Sequence, residues 1–241
     1  MAMKQPICDM HCHLLPGMDD GCKTAEESIQ VLRTSYEQGV RQMFATPHYY
    51  PVESIDTFLA RREAAMGRLS QRMEQEEQPL PQICLGAEVA YRPGLGYEEE
   101  LDKLCLGSSR YLLLEMPFTR WSEEVVRSVR NICNIRGITP ILAHIERYLS
   151  MQSRDTLMRV LEQEVLVQMN AENLLQFSKR GKARKLLESG TVQLLGTDCH
   201  NLTSRKPNLG PGVEYLEKKG LTHTVRDIAD LSQSIFREAT S

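Results

Sequence analysis

The stretch from Cys8 to Gly21, CDMHCHLLPGMDDG, holds two histidines, two cysteines and three aspartates in fourteen residues. Imidazole and carboxylate at that density serve metal binding or acid–base work, and the thiols add a zinc knuckle or a redox pair to the options. The matching donors elsewhere decide between them. His48, Glu88, Glu115, His144, Asp198 and His200 each close or follow a short apolar run, and with His11, His13 and Asp20 they make nine potential ligands. Five of the six histidines are used in this way. Mixed imidazole and carboxylate without thiolate suits manganese, iron or zinc. Nine donors are too many for one ion and enough for three that share a bridging carboxylate. Three divalent ions set against four carboxylates and a bridging hydroxide leave a weakly positive centre, which attracts a phosphate dianion.

Such donors must be brought together by the fold. Strands are expected at Pro6 to Met10, Gln42 to Thr46, Gln82 to Ala87, Tyr111 to Glu115, Pro140 to Ala143, Val165 to Met169 and Val192 to Gly196. Between them lie helical patterns, the first marked by Thr24 and Glu27 as a capping box, an apolar stripe of Ile29, Leu32 and Tyr36, and a stop at Gly39. The others run from Ser54 to Glu77, Tyr97 to Leu104, Glu123 to Arg136, Arg154 to Glu164, Ser178 to Glu188 and from His223 onward. Strands alternating with helices imply parallel βαβ units, here a distorted (β/α)7 barrel of α/β class, one strand short of the eight-stranded form. A doubly wound sheet would alternate in the same way but gathers its chemistry at one switch point. Here six of the seven strands end in a potential ligand and only the sixth, at Asn170, does not, so the barrel, with all strand ends at one mouth, is the better frame. His-x-His adds one condition: alternate strand residues face opposite sides, so both bind only where the chain bends over the mouth.

The 241 residues, with no linker-like break, are expected to form a single domain, residues 1–241. Basic and acidic residues number 29 and 32 with no basic block, which disfavours nucleic acid as a partner. No apolar run approaches a membrane span and no signal-peptide pattern opens the chain, so a cytoplasmic protein without membrane insertion is expected. Seven cysteines, none in a Cys-x-x-Cys pair, read as reduced packing residues.

The strings DMHCH, DDG, ATPH, GAEV, LLLEMPF, LAHIERY and GTDCHN resemble the motifs of the PHP (polymerase and histidinol phosphatase) superfamily. The DDG, HxERY and DxHN elements are similar to its CpsB/CapC branch, the capsular-polysaccharide tyrosine-protein phosphatases. The resemblance spans essentially the whole chain in order. It implies a distorted seven-stranded barrel and three divalent ions, manganese foremost, with iron or zinc accepted by the same ligands. One ion would lie on His11, His13, Glu88 and Asp198, a second on Glu88, Glu115 and His144, and a third on Asp20, His48 and His200. It further implies that Arg147 and Arg205 are catalytic and substrate-binding, holding the phosphate through bidentate guanidinium contacts. The expected reaction is hydrolysis of phosphotyrosine by a metal-bridging hydroxide, on the tail of a membrane-associated polysaccharide-export tyrosine kinase. The chain departs from the pattern at Ile145, where proline is usual and where the turn aiming Arg147 could change, and at Thr197, where serine is more common.

Other chemistries fit less well. Cys199 to Arg205 has the Cys-x5-Arg spacing of thiol phosphatases, but the intervening residues contain no glycine for a tight amide cradle. Amidohydrolase barrels usually place a lysine after the fourth strand and a histidine after the sixth, where this chain has Glu115 and Asn170. A small-molecule phosphatase, such as one for histidinol phosphate, would share the ligands; short loops over the mouth favour a protruding peptide side chain. A non-catalytic, metal-loaded adaptor of the kinase would not need both arginines. Phe118 and Trp121 are expected to serve core or interface packing rather than to hold a substrate ring, and Asp9 to orient a ligand from behind. Oligomeric state, homo-oligomers included, stays open.

Overall fold

In the computed structural model, which describes residues 7–241, the strands are β1 (Ile7–Cys12), β2 (Val40–Ala45), β3 (His48–Tyr49), β4 (Gln82–Leu85), β5 (Glu88–Ala90), β6 (Tyr111–Glu115), β7 (Thr139–Leu142), β8 (Leu166–Asn170) and β9 (Leu194–Gly196). The helices are α1 (Ala25–Glu37), α2 (Ile55–Met73), α3 (Glu123–Arg136), α4 (Arg154–Leu161), α5 (Glu172–Leu175), α6 (Arg180–Glu188), α7 (Leu209–Lys218) and α8 (Thr222–Ala239). Pro6, expected to begin the first strand, lies outside the described residues.

The strands form two parallel sheets, β1-β2-β4 and β3-β5-β6-β7-β8-β9. β2 and β3 are two pieces of one strand interrupted at Thr46-Pro47, and β4 and β5 two pieces of the next, interrupted at Gly86-Ala87. Joined through these breaks, the seven expected strands follow one another around a curled sheet. A parallel bridge between Cys12 and Cys199 brings its ends together, with Asp198 donating its backbone N–H to the His11 carbonyl at 2.8 Å. The interruptions are the distortion: the second and third strands stay paired in one register through both breaks, Ala45 with Leu85 and His48 with Glu88, while β1 flanks only the first piece of one and β6 only the second piece of the other.

Strand alternation divides the apolar residues. Leu112, Leu114, Leu142, Val167, Met169 and Leu195 join the larger core with helical residues such as Ile29, Leu32, Val129 and Leu187. Leu113, Ile141, Ala143 and Leu194 join a second cluster sealed by Ile235, Phe236 and Ala239 of α8. Each fully buried leucine contributes about 1.5–3 kcal/mol, so the frame beneath the strand ends is stiff.

The helix signals hold in detail. Thr24 caps α1 by accepting from the Glu27 N–H at 3.2 Å, while the Glu27 carboxylate reaches the Lys23 N–H at 2.6 Å, one residue short of the reciprocal capping-box bond. Ser122 and Gly137, the latter at φ +60°, bound α3 where it was expected. The helix expected from Tyr97 to Leu104 is instead two short 3-10 turns, Leu95–Tyr97 and Leu101–Leu104. Glu98 between them turns extended and pairs with Arg92. α7 and α5 were not foreseen.

Candidate metal centre

The chain bends sharply after β1. Cys22 donates its N–H to the His13 carbonyl at 3.1 Å, and a Cβ on Gly21 would stand 2.1 Å from that carbonyl oxygen, so only glycine passes there. The bend satisfies the condition on His-x-His. His11 and His13 are both fully buried, and their Nε2 atoms converge to 3.0 Å. At β9 the close approach repeats: a Cβ on Gly196 would lie 2.6 Å from the His11 Cβ.

Glu88, at the start of β5 and 1% exposed, is the hub. Its Oε2 lies 3.1 Å from His11 Nε2, 3.1 Å from His13 Nε2 and 3.1 Å from His48 Nδ1, and its Oε1 lies 2.8 Å from His144 Nε2. Asp198 Oδ1 lies 3.6 Å from His11 Nε2 and 3.4 Å from His13 Nε2. Asp20 Oδ1 lies 3.2 Å from His200 Nε2 and 3.6 Å from His48 Nε2. All nine predicted ligands therefore meet in one place.

Their donor atoms fall into overlapping sets, each within 4.8 Å: His11, His13, Glu88 and Asp198; His13, Asp20, His48 and His200; and His48, Glu88 and Glu115. The first set is the one expected. In the second His13 joins the expected three, and in the third His48 stands where His144 was expected, with His144 Nε2 remaining 3.5 Å from Glu115 Oε1. Among the described residues, the two non-glycine residues with positive φ are His144 at +34° and Asp198 at +51°, both in the cluster. Strain of this kind persists where the surroundings fix it and concentrates at functional sites.

The electrostatics are those of a cation site. Burial opposes ionisation of Glu88, yet the nearby His11, then His13 and His144, hold its carboxyl well below the usual range. Burial likewise opposes charge on Asp198, and the neighbouring His11 and His13 overcome it. His144 is pushed up to about 9 because Glu115 and Glu88 outweigh its burial, and His13 is raised by Asp19, Asp198 and Glu88 against the same penalty. His200 drops to about 4 through burial, then His13 and Arg205, and burial lowers His48. Glu88 Oε2, His48 Nδ1 and His200 Nε2 are buried polar atoms without a hydrogen-bond partner. Orphaned lone pairs beside ionised carboxylates are what divalent cations satisfy, so the residues present fit metal ions.

Arg147 and Arg205 each direct Nη2 at Asp198, Arg147 to Oδ2 and Arg205 to Oδ1 at 2.6 Å. Their side chains are 36% and 34% exposed, so both stand at the mouth. Ile145 in place of proline leaves a 3-10 turn, Ile145–Arg147, that still aims Arg147 inward. Thr197 donates its hydroxyl to Asp9 Oδ2 at 2.6 Å, and Asp9 Oδ1 accepts from the N–H groups of Thr197 and His11 at 2.8 and 3.2 Å. Asp9, pushed up to about 6 by burial despite these bonds, thus clasps β1 to β9 behind two ligands.

Three positioning residues were not foreseen. Asp19 Oδ2 accepts from His13 Nδ1 at 2.8 Å and the His48 N–H at 2.9 Å. Gln168 Oε1 accepts from the His144 N–H at 2.7 Å, and Asn170 Nδ2 donates to Asp198 Oδ2 at 2.8 Å. A glutamine inside the apolar run of β8 is the signal that could have been followed. Phe118 and Trp121 part company: Trp121 is buried and donates Nε1–H to the Pro117 carbonyl, whereas Phe118 is half exposed. The Cys199 loop is no anion cradle. The His200 and Asn201 N–H groups point to the Arg205 carbonyl, and those of Thr203 and Arg205 to the Asn201 side chain.

A family model for capsular polysaccharide synthesis proteins, CpsB/CapC, matches residues 7–234. The chain belongs to the CpsB/CapC family. Family relatives include the tyrosine-protein phosphatase YwqE of Bacillus subtilis, 30% identical with 96% of this chain and 94% of YwqE covered. The tyrosine-protein phosphatase CpsB of Streptococcus pneumoniae is 32% identical, covering 88% of this chain and 90% of its own. In fold, the chain is similar to a solved structure from work on YwqE of B. subtilis and CpsB of S. pneumoniae, described as unique metal-dependent tyrosine phosphatases, with TM-score 0.83, 23% identity and coverage of 96% and 95%.

Proposed function

We propose that this CpsB/CapC chain is a metal-dependent protein-tyrosine phosphatase whose substrate is the phosphotyrosine tail of a polysaccharide-export kinase in the cytoplasm. The observation that carries it is the meeting of nine imidazole and carboxylate side chains around Glu88, with two arginines at the rim. The names of the relatives supply the substrate class. Among the described residues no helix is long and apolar enough to cross a membrane, so membrane association would come from the kinase.

His11, His13, Glu88 and Asp198 would hold one ion, Glu88, Glu115 and His144 a second, and Asp20, His48 and His200 a third, with manganese the first candidate. Bound divalent ions would supply a water of lowered pKa and neutralise phosphate charge. The chain's own residues do the rest. Glu88 and Asp198, both held below the usual carboxylate range by the neighbouring histidines, supply negative charge for the ions to balance. Asp19 holds the Nδ1–H of His13 and so keeps Nε2 as the free lone pair. Arg147 and Arg205 keep N–H donors beyond those spent on Asp198, and these can grip the equatorial phosphate oxygens as charge builds. A phenol of pKa about 10 can depart without a general acid if a cation or arginine meets its oxygen.

The test is phosphate release from a phosphotyrosine peptide and from histidinol phosphate, with metals stripped and then restored singly as manganese, iron or zinc. His13→Ala and Arg205→Ala are run beside it. Full activity in the stripped protein overturns the proposal, and preference for histidinol phosphate moves it to small-molecule substrates.

A further inference from the structure

Two half-exposed aromatic rings stand against the cluster without a role in the scheme above. Tyr50, in the loop after β3, is 47% exposed and stacks on His48 with centroids 5.1 Å apart and planes 25° from parallel. Phe118, in the loop after β6, is 50% exposed and stacks on His144 at 6.0 Å and 19°. His48 and His144 reach opposite oxygens of Glu88. Each ring thus covers a different imidazole arm of the same carboxylate.

Both rings are set from beneath. Phe118 packs on the fully buried Tyr148 at 5.2 Å. Tyr49, buried against Phe58 at 5.2 Å, anchors the strand that presents Tyr50. The other large exposed aromatic side chains, Tyr97 and Phe177, make no ring contact with a cluster imidazole among the described residues. Apolar surface beside so charged a centre gains most from a flat apolar partner that arrives with an anion attached. An aryl phosphate is that partner. With the phosphate at the ions and arginines, its ring projects outward past the two aromatics, whereas an alkyl phosphate places nothing flat between them.

We infer that Tyr50 and Phe118 are specificity-determining residues that hold the substrate's aryl ring and select aryl over alkyl phosphates. This rests on the phosphotyrosine reading and assigns it two residues, Phe118 at the end of the LLLEMPF string and Tyr50 two residues beyond ATPH.

The experiment uses the metal-loaded protein and two non-hydrolysable probes, benzylphosphonate and methylphosphonate, with binding measured by calorimetry and metal content measured alongside. Tyr50→Leu and Phe118→Leu should each weaken benzylphosphonate about two- to tenfold, the range of one aromatic pair. Methylphosphonate affinity and metal content should stay unchanged. KM for a phosphotyrosine peptide should rise by the same factor while kcat holds, and the ring-preserving Tyr50→Phe and Phe118→Tyr should behave as wild type. Unchanged benzylphosphonate binding in both leucine variants overturns the inference. So does a parallel loss of methylphosphonate, because the rings would then only prop the imidazoles. If the wild-type protein prefers benzylphosphonate through these rings yet releases no phosphate from the peptide, the proposed function fails and the ring site stands. If it turns over the peptide and the leucine variants match it, only the ring site fails.

Discussion

Asp19→Asn isolates the positioning of one ligand from the supply of ligands. Asp19 accepts three hydrogen bonds, from His13 Nδ1 at 2.8 Å and the His48 N–H at 2.9 Å on Oδ2, and from the Gly21 N–H at 2.8 Å on Oδ1. All three partners are donors when His13 binds metal through Nε2, and an asparagine offers only one oxygen. Whichever way the amide turns, its NH2 faces at least one N–H. The substitution therefore loses one or two charge-assisted hydrogen bonds, each worth about 1.5–3 kcal/mol, and frees His13 to take the wrong tautomer. Much of that loss appears as metal affinity, for which a residue behind a ligand is worth about 10- to 100-fold. The assay strips the protein with chelator, titrates manganese back against a competing chelator, and records peptide turnover along the same titration. A weakened affinity with turnover restored at saturating metal is the expected result. An affinity within about threefold of wild type, well below the range for such residues, refutes the view that Asp19 sets His13.

Chelation should abolish turnover while Cys199→Ser leaves it intact; the reverse pattern would restore the thiol mechanism. Arg147→Ala and Arg205→Ala should each lower kcat/KM by about 10²–10³, the cost of one preorganised donor, at unchanged metal content, and arginine-to-lysine replacements should recover only part of it. Loading the metal-free protein at pH 7 should release protons, because His144, raised to about 9, and His13, also raised, hold theirs there and must give them up to bind. Apparent affinity should then climb as pH rises toward 9, and calorimetry in two buffers of different ionisation enthalpy counts the protons; a count of zero contradicts the assignment.

Most of this molecule is written locally. The seven strands and the main helices follow from period and caps, and the ligands were found because they end strands, a position that a barrel turns into a common mouth. What escaped depends on partners distant in sequence. The breaks in the second and third strands, at Thr46-Pro47 and Gly86-Ala87, fall where the flanking neighbour passes from β1 on the one strand to β6 on the other, a change that no run of apolar residues records. α7 was hidden by Gly210, Pro211 and Gly212, which read as a loop. In fact Gly210 and Gly212 press against Gln38 and Ala171, where a Cβ would lie 2.4 and 3.2 Å from them, and proline is tolerated in a first helical turn. Asp20, 63% exposed, faces His48 and His200 as the resemblance implied, whereas only the fold shows that Asp19 stands behind His13.

The clasp of Asp9 on Thr197 joins the first strand to the last, and the ligands it steadies stand at positions 11 and 198. A chain emerging from the ribosome carries His11 and His13 early, but a complete set exists only once residue 200 has been made and β9 has docked beside β1. A half-made protein has no finished centre to fill. An ion held between His11 and Asp198 would tie the two ends of the chain much as a cross-link spanning most of its length would.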